Sequence, residues 1–223
     1  DFYQLQEDQV FVGVGSDDVL AMIFMTFFNS KKPILFPDIT YSFYDVWADL
    51  FKIPYDKKPL DENFMIKKDD YYWKNGGVVF PNPNAPTGVL MPLDEIEDII
   101  AHNQDVIVIV DEAYVDFGGH SAQQLLSKYE NLLVVQTFSK SRSMAGMRIG
   151  FACGNEKLIM ESLKWMTDTE ESASVSIPSK SLEVSYLTIT DYDAAFWKIC
   201  TIALIPGIFL VIGFVVWIKR RKA

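Results

Sequence analysis

Short apolar runs alternate with amphipathic stretches through residues 1–166. The runs are VFVGVG (10–15), PILFP (33–37), GVVFPNP (77–83), VIVIVDE (106–112), LLVVQTFSK (132–140) and RIGFACG (148–154), with a weaker one around Ile53 to Tyr55. They are rich in Val and Ile and are expected as strands. Between them lie helical patterns. DDVLAMIFMTFF (17–28) opens with acids, as a helix N-terminus favours. PLDEIEDII (92–100) places Pro92 in a first turn and Ile96, Ile99 and Ile100 on one face. Strands of this kind alternating with helices predict an α/β fold, a mostly parallel sheet with helices on both faces. Ligands bind such sheets beyond the carboxyl ends of the strands.

The pattern changes after Met166. TDTEESASVSIPSKS, starting at Thr167, is polar and reads as a linker or stalk over 167–196. ICTIALIPGIFLVIGFVVWI (199–218) then carries no charge in twenty residues, a length that spans a bilayer core. Trp197 and Trp217 flank it and Lys219, Arg220, Arg221 and Lys222 follow at once. Pro206 and Gly207 are tolerable in a membrane helix. A transmembrane helix with a basic flank is therefore expected over 197–223, seated in the lipid bilayer through 199–218 with its C-terminus in the cytoplasm. A buried core helix is the competing explanation, and the abrupt basic stop disfavours it. No internal repeat is visible.

Composition narrows the function classes. With 49% apolar and 14% aromatic residues the chain can fill a core. A net charge of −10 supplies no basic face for a phosphate backbone, so nucleic acid is excluded as a partner. Cys153 and Cys200 make neither a disulfide framework nor a metal cluster. His102 and His120 are too few and too isolated for a zinc site, and no metal is expected.

Chemistry-bearing residues collect after the strands. Val14-Gly15-Ser16-Asp17-Asp18 is a glycine turn entering a helix, where backbone N–H groups and the Ser16 hydroxyl can hold an anion. Asp38-Ile39-Thr40-Tyr41 brings an aromatic near the sheet edge, for which core packing is the simpler explanation. PNPNAPTG (81–88) reads as an irregular loop. Asp111-Glu112-Ala113-Tyr114 ends a buried strand on a carboxylate, which needs a cationic or N–H partner from protein or ligand. TFSKSRSMAGMRIG (137–150) places hydroxyls at Thr137 and Ser139 and a phosphate-gripping guanidinium at Arg148. Lys140 lies between them, expected beside Arg148 and out of bulk water, as a candidate nucleophile. A lysine nucleophile, a buried Asp, a Tyr and a phosphate clamp at neighbouring strand ends fit pyridoxal phosphate, whose ring acts as an electron sink when its nitrogen is kept protonated.

The motifs VGSDDVL, PDITYSFYDV, FPNPNAPTG, VIVDEAYVDF and TFSKSRSMAGMRIG resemble the large domain of fold-type I pyridoxal-phosphate-dependent aminotransferases, most nearly those of the histidinol-phosphate aminotransferase type. That resemblance implies a seven-stranded sheet over residues 1–166 and an enzyme that moves an amino group between glutamate and an imidazole keto-phosphate. It implies Lys140 as the Schiff-base lysine and proton carrier, and Asp111 as the partner of the pyridinium nitrogen. Tyr114 would bond the ring hydroxyl and Tyr41 would stack on the ring. Ser16 and Asp17 (through backbone), Thr137, Ser139 and Arg148 would bind the phosphate. A homodimer and small amino-acid and keto-acid substrates are implied as well.

Departures from the family pattern accompany the likeness. Ala85 stands where the family commonly has the Asn before Pro-Thr-Gly, and the adjacent Asn84 is the candidate replacement. Val14 stands where many relatives carry Asn. No N-terminal arm or C-terminal small domain follows the family pattern in this chain, so weak cofactor binding and poor turnover are expected. The tail loosely resembles the anchor of gliding-motility-type ABC transporter accessory proteins, which opens an alternative: a membrane-anchored, non-catalytic accessory protein, or a fusion of two gene fragments. The two halves imply different compartments, the membrane for the tail and the cytoplasm for the enzyme-like part.

Overall fold

The computed structural model describes residues 5–160, 196, 198, 200, 202 and 205–221. Its strands are β1 (Val10–Gly13), β2 (Ile34–Pro37), β3 (Tyr55–Lys58), β4 (Gly77–Pro81), β5 (Val108–Asp111), β6 (Leu132–Thr137) and β7 (Gly150–Gly154). They form one seven-stranded mixed sheet in the order β1-β7-β6-β5-β4-β2-β3. From β6 to β3 the neighbours run parallel, whereas β7 is antiparallel to both β1 and β6. Each expected apolar run contains a strand, and the weak run near Tyr55 becomes the polar edge strand β3. Its sequence YDKK suits an edge, where charged side chains discourage pairing with another chain.

The central strands are buried along their whole length, and their side chains alternate between two cores. Val79, Ile109, Leu133 and Val135 point to one face, where they meet Val19, Leu20, Ile23 and Phe24 of α1 (Ser16–Phe27) and Tyr44, Trp47 and Ala48 of α2 (Phe43–Leu50). Val78, Phe80, Val108, Val110, Leu132 and Val134 point to the other, against Ile96, Ile99 and Ile100 of α3 (Leu93–His102). Each such side chain contributes about 1.5–3 kcal/mol by leaving water. Pro92 occupies the N-cap of α3 rather than its first turn, with the φ of −60° that its ring imposes.

Helix α2 has no counterpart among the expected elements. Its buried residues Tyr44, Trp47 and Ala48 follow helical spacing, but Phe43, Val46 and Leu50 are apolar and exposed on the outer face. With only eight residues the helix offers barely two turns over which a periodic pattern can show.

The expected transmembrane helix is corrected by the structure. Among the described residues no helix is long and apolar enough to cross a membrane. The last helix, α4, spans Ile205–Arg221 and has 17 residues. It contains Pro206 and runs into the basic sequence Lys219-Arg220-Arg221. Residues 199, 201, 203 and 204 of the expected span, and 167–195 of the expected linker, lie outside the described residues. Contacts divide the chain into two units, Asp1–Glu171 and Ser172–Ala223; the sheet and helices α1 to α3 belong to the first, α4 to the second.

Candidate active site

The strands that bear chemistry carry it at their last residues or in the loops just beyond. β4 ends at Pro81, β5 at Asp111 and β6 at Thr137. β7 runs the opposite way, so its first residue, Gly150, pairs with Thr137, and Arg148 arrives at the same edge of the sheet. A cleft of about 120 Å³ opens there. Its walls are Ser16 and Asp17 from the start of α1, Tyr41 after β2, Pro81 and Ala85 after β4, Asp111, Ala113 and Tyr114 after β5, and Thr137, Ser139, Lys140 and Arg148 around β6 and β7. A wider depression at the opposite end of the sheet, lined by Lys32, Asn75, Gln104 and Asn131 among others, holds none of the residues nominated from sequence.

One end of the cleft is built to receive an anion. Gly15 sits at φ +91° at the N-cap of α1, and a Cβ there would lie 2.6 Å from Arg148 Nη2. Gly150 packs so closely beneath the turn that a Cβ would lie 2.2 Å from the Gly15 carbonyl carbon and the Ser16 nitrogen. These two glycines let the guanidinium and the first turn of α1 close on one space. The first N–H groups of a helix have no intrahelical partners and carry a partial positive charge. Ser139 Oγ is buried with no hydrogen-bond partner, an open position for an incoming acceptor. Thr137 Oγ1 donates to the Ile149 carbonyl at 3.3 Å and accepts from the Ser139 N–H at 3.2 Å, which shapes the turn. The Asp17 carboxylate also enters this end: it accepts from the Tyr41 hydroxyl at 2.8 Å and lies 3.6 Å from Arg148 Nη2. The sequence reading assigned Asp17 a backbone role only.

The other end holds a buried carboxylate. Asp111 is 5% exposed, and burial pushes its carboxyl up from the ordinary 3.8 to about 6. Tyr44 Oη donates to Oδ2 at 2.9 Å, the Ala113 N–H donates to Oδ1 at 3.1 Å, and both, with the charge of Lys140, pull the value down. The two donors are neutral, so a cationic partner from the cleft is what this carboxylate lacks for full stabilisation. Tyr44 itself is fully enclosed, and burial, followed by the Asp111 charge, holds its hydroxyl well above the usual phenol range. Lys140 Nζ stands 5.2 Å from the centre of the Tyr114 ring. Tyr41 is half-buried against Phe43, Tyr44 and Trp47, so the core-packing explanation and the cleft position are both realised.

Two expectations change. Lys140 is exposed rather than withdrawn from water, because none of the described residues roofs the loop that carries it. Asn84 does not line the cleft. Its Nδ2 is committed to the Ile39 carbonyl at 3.0 Å and Thr87 Oγ1 at 3.1 Å, its Oδ1 is buried without a partner, and Ala85 is the residue that faces the cleft. Tyr44 is the functional residue that the sequence reading missed. It lies within the quoted motif PDITYSFYDV, three residues after Tyr41, and one helical turn would have placed the two on the same side.

Comparison with known proteins accords with this geometry. The model of the family Aminotransferase class I and II matches residues 1–188. A histidinol-phosphate aminotransferase of Lactococcus lactis subsp. cremoris is 47% identical over 201 residues, covering 90% of this chain and 56% of that protein. Histidinol-phosphate aminotransferase 1 of Hydrogenovibrio crunogenus is 58% identical over 158 residues, covering 71% of this chain and 44% of its own length. The crystal structure of the histidinol-phosphate aminotransferase from Clostridium acetobutylicum shares the fold at a TM-score of 0.67 and 22% identity, over 74% of this chain and 50% of that one. The chain spans about half the length of the curated relatives it matches. The membrane-anchored accessory alternative finds no favour in these matches. With a matched region that contains the whole sheet and every wall of the cleft, this chain belongs to the aminotransferase class I and II family.

Proposed function

We propose that this chain carries the cofactor-binding part of a pyridoxal-phosphate-dependent aminotransferase of the histidinol-phosphate type, acting between glutamate and an imidazole keto-phosphate. The observation that supports this reading is the meeting, in one cleft, of a lysine amine, a buried carboxylate that lacks a cation, and an anion-receiving end with an unpartnered hydroxyl. These groups suit the two ends of pyridoxal phosphate. When bound, that group supplies an electrophilic carbon for amine exchange and a ring that takes up electrons released at the substrate carbon.

The chain's own residues then have separate tasks. Arg148, Thr137, Ser139 and the N-terminus of α1 hold the phosphate through charge-assisted hydrogen bonds. Asp111, oriented by Tyr44 and Ala113, would pair with the ring nitrogen and keep it protonated. Tyr114 would offer its hydroxyl to the ring hydroxyl, and Tyr41 would cover one ring face. Arg148 and Tyr41 exchange part of their contact with Asp17 for these new partners. Lys140 would hold the group by its reactive carbon and, with its amine free, would carry a proton at the substrate carbon. The exposed apolar face of α2 (Phe43, Val46, Leu50) supports association of two copies, as the family resemblance implies.

The test is chemical. The 223-residue chain is mixed with pyridoxal phosphate, the visible spectrum is recorded, and the mixture is reduced with borohydride and mapped by mass spectrometry. A visible band with the adduct confined to Lys140, and lost in Lys140→Ala, supports the reading. Label scattered over surface lysines sinks it. Spectral change on adding histidinol phosphate or glutamate then tests the substrates.

A further inference from the structure

The loop that carries Lys140 is short of support from above but tied from the side. Phe138 and Met144 close it, the Met144 N–H donating to the Phe138 carbonyl at 3.0 Å, and the Ser143 N–H donates to the Lys140 carbonyl at 3.0 Å. The two residues that follow Lys140 are both held by one carboxylate. Ser141 Oγ donates to Asp116 Oδ2, and Arg142 Nε lies 3.4 Å from the same oxygen. The Arg142 guanidinium lies 4.7 Å over the Phe138 ring and donates from Nη2 to Gln136 Oε1 on β6 at 3.4 Å. Gln136 in turn donates from Nε2 to the buried Glu112 at 2.8 Å.

Asp116 belongs to the single 3-10 turn Val115–Phe117, two residues beyond Tyr114. One carboxylate thus joins the segment that bears Tyr114 to the loop that bears Lys140. Without it, nothing among the contacts just described binds the loop directly to that segment. We propose that Asp116 is a positioning residue for Lys140: through Ser141 and Arg142 it sets the amine against Tyr114 in the attack geometry. Arg142 is the natural second half of the clamp, since a guanidinium offers several donors in a fixed plane and stacks on an aromatic face. The inference rests on the proposed function. Reaction rates fall steeply when a nucleophile is held even slightly out of line, so a loosened clamp is expected to slow bond formation without weakening phosphate binding.

The experiment uses the full chain and follows growth of the visible band at rising pyridoxal phosphate. Asp116→Asn is expected to lower the limiting rate about tenfold while the half-saturating concentration, set by Ser139 and Arg148, changes less than about twofold. Asp116→Glu, which keeps the charge, recovers part of the rate. In a Ser141→Ala/Arg142→Ala background, Asp116→Asn adds no further loss, as a shared pathway requires. Hydrogen exchange of the cofactor-free protein gives an independent readout: Asp116→Asn speeds exchange in 138–144 and leaves β4 to β6 unchanged. An unaltered limiting rate overturns the proposal. So does a lower rate accompanied by a raised half-saturating concentration and general loss of exchange protection, the mark of a merely structural carboxylate. If the unmodified chain forms no Lys140 adduct, the proposed function has failed; if it forms one and Asp116→Asn forms it equally fast, only the positioning role has.

Discussion

Replacing Asp111 by Asn isolates the energetic cost of burying that carboxylate. The folded structure raises its pKa from 3.8 to about 6, chiefly through burial. At ~1.36 kcal/mol per unit, a rise of about two units corresponds to about 3 kcal/mol. The sign follows from which form the fold prefers. The protonated carboxyl is favoured in the folded state, so its contribution is fully present below pH 3.8 and is lost as pH rises through 6. Asn removes the ionisation and keeps an oxygen for the Ala113 N–H, while the Tyr44 hydroxyl can turn to accept from Nδ2. The stability difference between Asp111→Asn and wild type, both free of cofactor, should therefore grow in favour of the variant by about 2 kcal/mol between pH 4 and pH 7. Urea unfolding followed by tryptophan emission measures it, because Trp47 is buried against the core. Taking the difference is essential, since Glu112 is raised by burial from 4.5 to about 7 and loses stability over an overlapping window in both proteins. A gap that stays the same at pH 4 and pH 7 would refute the reasoning. Added pyridoxal phosphate should stabilise wild type more than the variant at pH 7, since the cation that Asp111 lacks then comes from the ring.

Two further outcomes bear on the same cleft. Tyr44→Phe removes the buried donor at 2.9 Å from Asp111 and should cost about 1.5–3 kcal/mol at pH 8, where the carboxylate is ionised, and less at pH 4; in an Asp111→Asn background the pH-dependent part should vanish. Gly150→Ala would drive a methyl into the Gly15–Ser16 backbone and should destabilise the chain by about 1–3 kcal/mol while weakening pyridoxal phosphate binding; a titration with unchanged affinity would contradict the account of the anion-receiving end.

What the sequence determined by itself is local. Runs such as VIVIV and LLVV are apolar at every position because strands in the middle of such a sheet are covered on both faces, and that makes them legible without any partner. The residues just beyond those runs were legible too, because a carboxylate or lysine at the end of a buried strand has few bland explanations. Tertiary structure alone decided what those residues touch. The hydrogen bond from Tyr44 to Asp111 joins positions 67 residues apart, that from Tyr41 to Asp17 joins positions 24 apart, and the Asp116 contact with Ser141 spans 25. It also turned Asn84 away from the cleft, and among the described residues it gives no helix long and apolar enough to cross a membrane. Periodicity reports the face a residue turns to its own element, with repeats of two or 3.6. Contacts across such separations depend on strand order and on how a helix sits on the sheet, and neither leaves a repeat in the chain.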